Sequence, residues 1–94
     1  MIGIVIVSHS RPLAEAVVEL VRQVSVQPAP MAIAAGVGPD RSEFGTDAVE
    51  ISEAIQSVYS PDGVLVLMDL GSAILSAETA LELLPPEYKS KIRF

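Results

Sequence analysis

The sequence predicts an α/β domain, a mostly parallel sheet with helices on both faces. Residues 2–8, 31–35 and 64–68 are aliphatic and largely β-branched runs without polar alternation, as strands buried on both faces require. The segments between them place apolar residues at helical spacing. Hydrophobic residues make up 50% of the chain and aromatic ones only 4%, so the core is built of Val, Ile, Leu and Ala rather than of rings. A chain of 94 residues is long enough for one core and too short for two, so a single domain over 1–94 is expected.

The first strand covers residues 2–8 and ends in Ser8-His9-Ser10-Arg11. Pro12 then sits where a first helical turn accepts it, and Leu13, Val17, Leu20, Val21 and Val24 form the expected buried stripe of a helix over about 12–24. Pro28 and Pro30 break that helix, and residues 31–35 form a second strand. The stretch from Gly36 through Gly38 to Gly45 is rich in turn formers and longer than a routine connection, which makes it a candidate functional loop.

Thr46 or Asp47 can cap the next helix, with Glu50 placed for a capping box and Ala48, Ile51, Ile55 and Val58 on the buried side. Pro61-Asp62-Gly63 is a turn, and residues 64–68 form a third strand, also expected to be buried, that stops at Asp69. Gly71-Ser72 opens a third helix with a stripe of Ile74, Ala77, Leu81 and Leu84, stopped by Pro85-Pro86. Residues 91–94 begin a fourth strand. Right-handed crossovers arrange these elements with a flavodoxin-like strand order, 2-1-3-4.

Charge and composition exclude several classes. The net charge is −6, and the 6 basic residues nowhere gather into a stripe, so neither nucleic acid nor an anionic membrane surface is an expected partner. With no cysteine, disulfides and thiolate metal sites are out, which agrees with a cytoplasmic location. The N-terminal apolar run has no basic region before it and falls far short of the roughly 20 residues that span a bilayer.

Ligands of such sheets bind at the carboxyl ends of the strands where strand order reverses, here between the first and third strands. Those strands end at His9 and Asp69, remote in sequence and neighbours in this topology. A neutral imidazole nitrogen can accept a phosphoryl group and release it, and a carboxylate on the other ring nitrogen would fix the tautomer that leaves the reacting nitrogen unprotonated. Helix starts after Ser10 and after Gly71 offer backbone N–H groups to phosphoryl oxygens, so Ser10, Gly71 and Ser72 are candidate phosphoryl-binding residues. Gly36, Gly38 and Thr46 are further loop candidates. Arg11 reads as a solvated surface residue. No metal or cofactor is called for by this chemistry.

The residues that carry this chemistry also carry a resemblance. Ile4-Val5-Ile6-Val7-Ser8-His9-Ser10, Leu13-Ala14-Glu15, Gly45-Thr46-Asp47 and residues 63–73, with Asp69-Leu70-Gly71-Ser72 at their centre, resemble the phosphoryl-carrier subunits of the phosphoenolpyruvate-dependent dihydroxyacetone kinases. These are mannose-type IIA domains of the phosphotransferase system. The resemblance covers nearly the whole chain. It implies a transferase component that takes a phosphoryl group on His9, oriented by Asp69, from the histidine-containing phosphocarrier protein HPr. It implies that His9 then passes the group to ADP bound in a dihydroxyacetone (glycerone) kinase subunit. It also implies a homodimer, although the family's last strand and helix, which contribute to that dimer, are expected to be lacking after Phe94.

A mannose-type carrier feeding a sugar-transport IIB component is the nearest alternative, and Asp69-Leu70-Gly71-Ser72-Ala73 favours the dihydroxyacetone branch. A signalling receiver would need acidic metal ligands after the first strand, where this chain has Ser8-His9-Ser10. A flavin carrier would need flanking aromatics, and only Phe44, Tyr59, Tyr88 and Phe94 are present. A pure interaction module would leave the convergence of His9 and Asp69 unexplained.

Overall fold

The computed structural model describes residues 2–24, 30–38, 40, 45–69 and 71–94, excepting the side chains of Val24 and of 71–73. The elements run β1 (Gly3–Ser8), α1 (Arg11–Val24), β2 (Met31–Ala35), α2 (Ala48–Val58), β3 (Val64–Met68), α3 (Gly71–Glu82), α4 (Pro86–Lys89) and β4 (Ile92–Arg93). They form one sheet in the order β2-β1-β3-β4. Every pairing is parallel, with Val7 opposite both Ala34 and Met68, and Val64 opposite Ile92. The expected α/β architecture and strand order are therefore observed.

Alternation along the strands divides the core in two. Val5, Val7, Ala34, Val64 and Val66 point to one side and pack with Ile51, Ile55 and Val58 of α2, Ala80 of α3, and Leu84 and Ile92. Ile6 and Ala35 point to the other side, where Ala14 and Val18 of α1 cover them, with Ile4, Val17, Met31 and Ile33 at the margin. The α2 stripe is as expected, and Asp47 is its cap, its side chain accepting from the Val49 N–H. Glu50, read as the second half of a capping box, instead reaches across to Arg11.

Three expectations about burial are corrected. In α1 the covered positions are Ala14 and Val18, whereas Leu13 and Leu20 are 50% and 60% exposed. The apolar arc of α1 is wider than its contact with the sheet, and the small residues face β1 and β2 while the leucines flank it. The third strand is buried on one face only: Leu65 and Leu67 are exposed, because α1 covers β1 and β2 and no described helix covers β3 on that side. Leu13 and Leu67 thus line one apolar groove with Ile6, Ala14 and Val17. In α3, Ile74 is exposed and Ala77 and Ala80 are fully buried, Ala80 packing with Ile51 and Ile55 of α2 in the core.

The chain after α3 is more ordered than its two prolines suggested. Tyr88 of α4 stacks on Tyr59 at the end of α2, ring centroids 3.9 Å apart and 6° from parallel, which docks the segment that leads into β4. Gly63 makes the turn before β3 with φ of 101°, and a Cβ there would stand 2.5 Å from the Lys91 carbonyl oxygen. Gly63→Ala is therefore expected to lower unfolding free energy by about 1–3 kcal/mol, through left-handed strain and displacement of β4. Urea denaturation followed by circular dichroism measures it; an unchanged midpoint would show that the turn and β4 shift at no cost.

Candidate functional site

The site lies where β1 and β3 end side by side. Because Val7 pairs with Met68, the next residues, Ser8-His9 and Asp69, emerge together at the carboxyl edge of the sheet. The chain leaves β1 toward β2 on one side and enters β3 on the other, so this is the point of strand-order reversal.

The contacts converge on the Asp69 carboxylate. Its Oδ1 lies 3.0 Å from His9 Nδ1. Its Oδ2 accepts from the Ser8 hydroxyl at 2.7 Å and from the His9 backbone N–H at 3.1 Å. Burial, the largest single influence on this carboxyl, pushes its pKa up. The Ser8 hydroxyl, the His9 ring, the His9 N–H and the charge attraction of His9 outweigh it, so the pKa lies below the ordinary carboxylate value. Asp69 is therefore an ionised, acceptor-only group at neutral pH, which assigns the shared proton to Nδ1 and the lone pair of the ring to Nε2. Side chains of His9 and Asp69 are 20% and 24% exposed, held by the fold yet reachable from solvent. An imidazole positioned by a carboxylate at Nδ1 is the arrangement in which the other ring nitrogen can act as a nucleophile and the positive charge that develops on the ring is matched.

The loop after β2 brackets this pair. Gly36 N–H donates to the Ser8 carbonyl and Gly45 N–H to the His9 carbonyl, so both ends of the loop are tied to the end of β1. Gly36 and Gly38 adopt φ of 76° and 90°, turning the chain directly after the strand. The Thr46 hydroxyl shares a 2.6 Å hydrogen bond with Ser76, which ties this residue to α3. Gly38 makes no contact with His9 among the described hydrogen bonds.

Ser10 also differs from expectation. Its N–H, read as a donor for phosphoryl oxygens, donates to Ser8 Oγ at 3.1 Å, because the Ser8 hydroxyl folds back over the start of α1. The backbone of Gly71 and Ser72 opens α3 two positions after Asp69, and the Ser72 side chain lies outside the described residues. Arg11 is no solvated surface residue: its Nε donates to the Ala35 carbonyl and its Nη2 to Glu50 Oε2 at 3.2 Å, joining α1, β2 and α2.

Sequence reasoning missed Ser8, Glu50 and Ser76. For Ser8 a signal existed, a hydroxyl at the end of an otherwise apolar strand, where burial demands a partner. The lowered Asp69 pKa carries a stability consequence. A carboxyl whose folded pKa is depressed stabilises the fold above its unfolded pKa, and that contribution is lost as pH falls through the folded value. The stability difference between wild type and Asp69→Asn is expected to be greatest near neutrality and to shrink as the pH falls through and below the ordinary carboxylate range, as urea midpoints measured across that range would show. A pH-independent difference would mean that Asp69 is not ionised by these contacts.

Known proteins resemble this chain over nearly its whole length. The chain is 55% identical over 94 residues to the PEP-dependent dihydroxyacetone kinase, phosphoryl donor subunit DhaM, of Escherichia coli K12, matching 99% of this chain and 20% of that protein. It thus spans about a fifth of the length of that relative. It is 38% identical over 91 residues to the phosphoryl donor subunit DhaM of PEP-dependent dihydroxyacetone kinase 2 of Listeria innocua serovar 6a, covering 97% of this chain and 71% of the relative. The crystal structure of the unknown-function protein EF1359 superposes with a TM-score of 0.85 at 27% identity, over 100% of this chain and 71% of that one. The family model for EIIA-man, the PTS system fructose IIA component, matches residues 3–94, and with the observed sheet order and these relatives it shows that the chain belongs to that family.

Proposed function

We propose that this chain is a phosphohistidine carrier: a single mannose-type IIA domain that takes a phosphoryl group on His9 and delivers it for the phosphorylation of dihydroxyacetone. The observation that carries the reading is the 3.0 Å contact of Asp69 with Nδ1, which leaves Nε2 as the reacting nitrogen. The names of the Escherichia coli and Listeria innocua relatives, phosphoryl donor subunits of PEP-dependent dihydroxyacetone kinase, support the choice of acceptor.

In this reading the Nε2 lone pair attacks the phosphorus of a phosphohistidine on the donor protein HPr. The donor's P–N bond breaks and its electron pair returns to the donor imidazole. The His9 ring then carries a phosphoryl group on Nε2 and a proton on Nδ1. Its positive charge is balanced by the Asp69 carboxylate. Transfer onward breaks this new P–N bond as a terminal oxygen of ADP, held in a dihydroxyacetone kinase subunit, attacks phosphorus. His9 thereby returns to its neutral form and ATP is made at the acceptor. Ser10 and the backbone at the start of α3, around Gly71 and Ser72, are the proposed contacts of the phosphoryl oxygens. Gly36 supports the end of β1 rather than the phosphoryl group.

Residues 1–94 act here as one domain, and the carrier works as a homodimer. The exposed Leu13, Leu20, Leu65 and Leu67 are consistent with a further covering surface on the α1 side of the sheet. Among the described residues no helix is long and apolar enough to cross a membrane.

Incubation with phosphoenolpyruvate, enzyme I and HPr is expected to add one acid-labile phosphoryl group, seen as an intact-mass increase, and His9→Ala is expected to abolish it. Adding an ADP-loaded dihydroxyacetone kinase subunit should discharge the labelled protein. Labelling without discharge would favour a sugar-transport IIB acceptor; the absence of labelling would overturn the carrier reading. Sedimentation equilibrium is expected to give twice the chain mass, and a monomer at all concentrations would remove the homodimer.

A further inference from the structure

Ser8 is 2% exposed and stands at the last position of β1, paired with Ala35. A hydroxyl has one proton to donate. In Ser8 that proton goes to Asp69 Oδ2 at 2.7 Å, while a lone pair of the same oxygen receives the Ser10 N–H at 3.1 Å. The backbone donor fixes the rotation of the hydroxyl and polarises it, so the chain Ser10 N–H to Ser8 O–H to Asp69 is directional and its members strengthen one another. Asp69 is the first residue beyond β3, and Ser8 is held inside the paired strand.

We propose that Ser8 is the positioning residue of this site. Its hydroxyl couples the Asp69 carboxylate to the rigid sheet, so that Oδ1 stays on His9 Nδ1 and the ring keeps its proton there. Without the hydroxyl, Oδ2 retains only the His9 backbone N–H at 3.1 Å, a single donor about which the carboxylate can swing. The ring then samples the tautomer protonated at Nε2, which has no lone pair for phosphorus. This role rests on the carrier reading for its catalytic consequence, but the tautomer itself is a property of the chain alone.

Three variants separate the hydroxyl from its volume. Ser8→Ala removes it, Ser8→Thr keeps it with an added methyl group, and Ser8→Val has the shape of threonine without it. Long-range ¹H–¹⁵N spectra of the ring are expected to show wild type and Ser8→Thr protonated at Nδ1, and Ser8→Ala and Ser8→Val shifted toward Nε2 protonation. In the phosphoryl-transfer assay the rate is expected to fall roughly 10- to 100-fold in Ser8→Ala and Ser8→Val, the scale on which partners that orient a reactive histidine act, and to be restored largely by Ser8→Thr. If Ser8→Thr and Ser8→Val lose function together, packing is responsible and the proposal is overturned; wild-type tautomers in Ser8→Ala overturn it equally. Failure of the wild type itself to take up a phosphoryl group would strike the carrier reading and leave the tautomer result standing.

Discussion

The pairing of β1 with β3 is the constraint on which the rest of the molecule depends. Gly3 opposite Val64 and Val7 opposite Met68 set one register, and that register alone decides that His9 and Asp69 leave the sheet side by side. A slip of one residue would turn every side chain of β3 to the other face and put Asp69 out of reach of Nδ1. The register is held by what lies below it: Val5, Val7, Val64 and Val66 interlock with Ile51 and Ile55 of α2, all essentially closed to solvent. Packing in the core thus sets a 3.0 Å contact at the edge.

The two sides of the sheet contribute differently. The α2 and α3 side is closed and continuous, and it is continued by the Tyr59–Tyr88 stack to the short fourth strand. The α1 side is closed over β1 and β2 only, leaving Leu65 exposed and Leu67 facing the same groove as Leu13. Arg11 makes up for part of that asymmetry at the site end. Its bonds to Ala35 and Glu50 tie the start of α1, next to the turn that carries His9, to both β2 and α2.

Much of this was legible in the sequence, for reasons that differ by element. The limits of β2 and β3 were readable because prolines and glycines flank short aliphatic runs, and the α2 face because its apolar residues recur at one spacing only. In α1 two stripes overlap, one with Leu13 and Leu20 and one with Ala14 and Val18. Choosing between them needs the width of the sheet contact, which no local pattern contains. Ile74 misleads in the same way, since the alanines of α3 take the buried positions instead. At the site, His9 and Asp69 followed from topology. The partners of Ser8 and Arg11 did not, because Asp69, Ala35 and Glu50 come from distant segments: the hydroxyl ending an apolar strand signalled only that some partner was needed, and an arginine after a strand is ordinarily a surface residue.

The donors around Asp69 have a chemical consequence beyond orientation. A carboxylate beside a histidine can act as a spectator charge or as a base, and its own pKa decides which. Were burial to prevail at Asp69, the carboxyl would compete for the Nδ1 proton, and a phosphorylated ring that has lost that proton would have to leave as an imidazolate anion, a poor leaving group. The Ser8 hydroxyl, the His9 N–H and the ring hold the carboxyl below its ordinary value instead, so it stabilises the charged ring without discharging it. A carrier must give up its phosphoryl group as readily as it takes it. In the site proposed here that reversibility resides in keeping Asp69 a weak base, and the groups that do so all belong to the last turn of chain leaving β1.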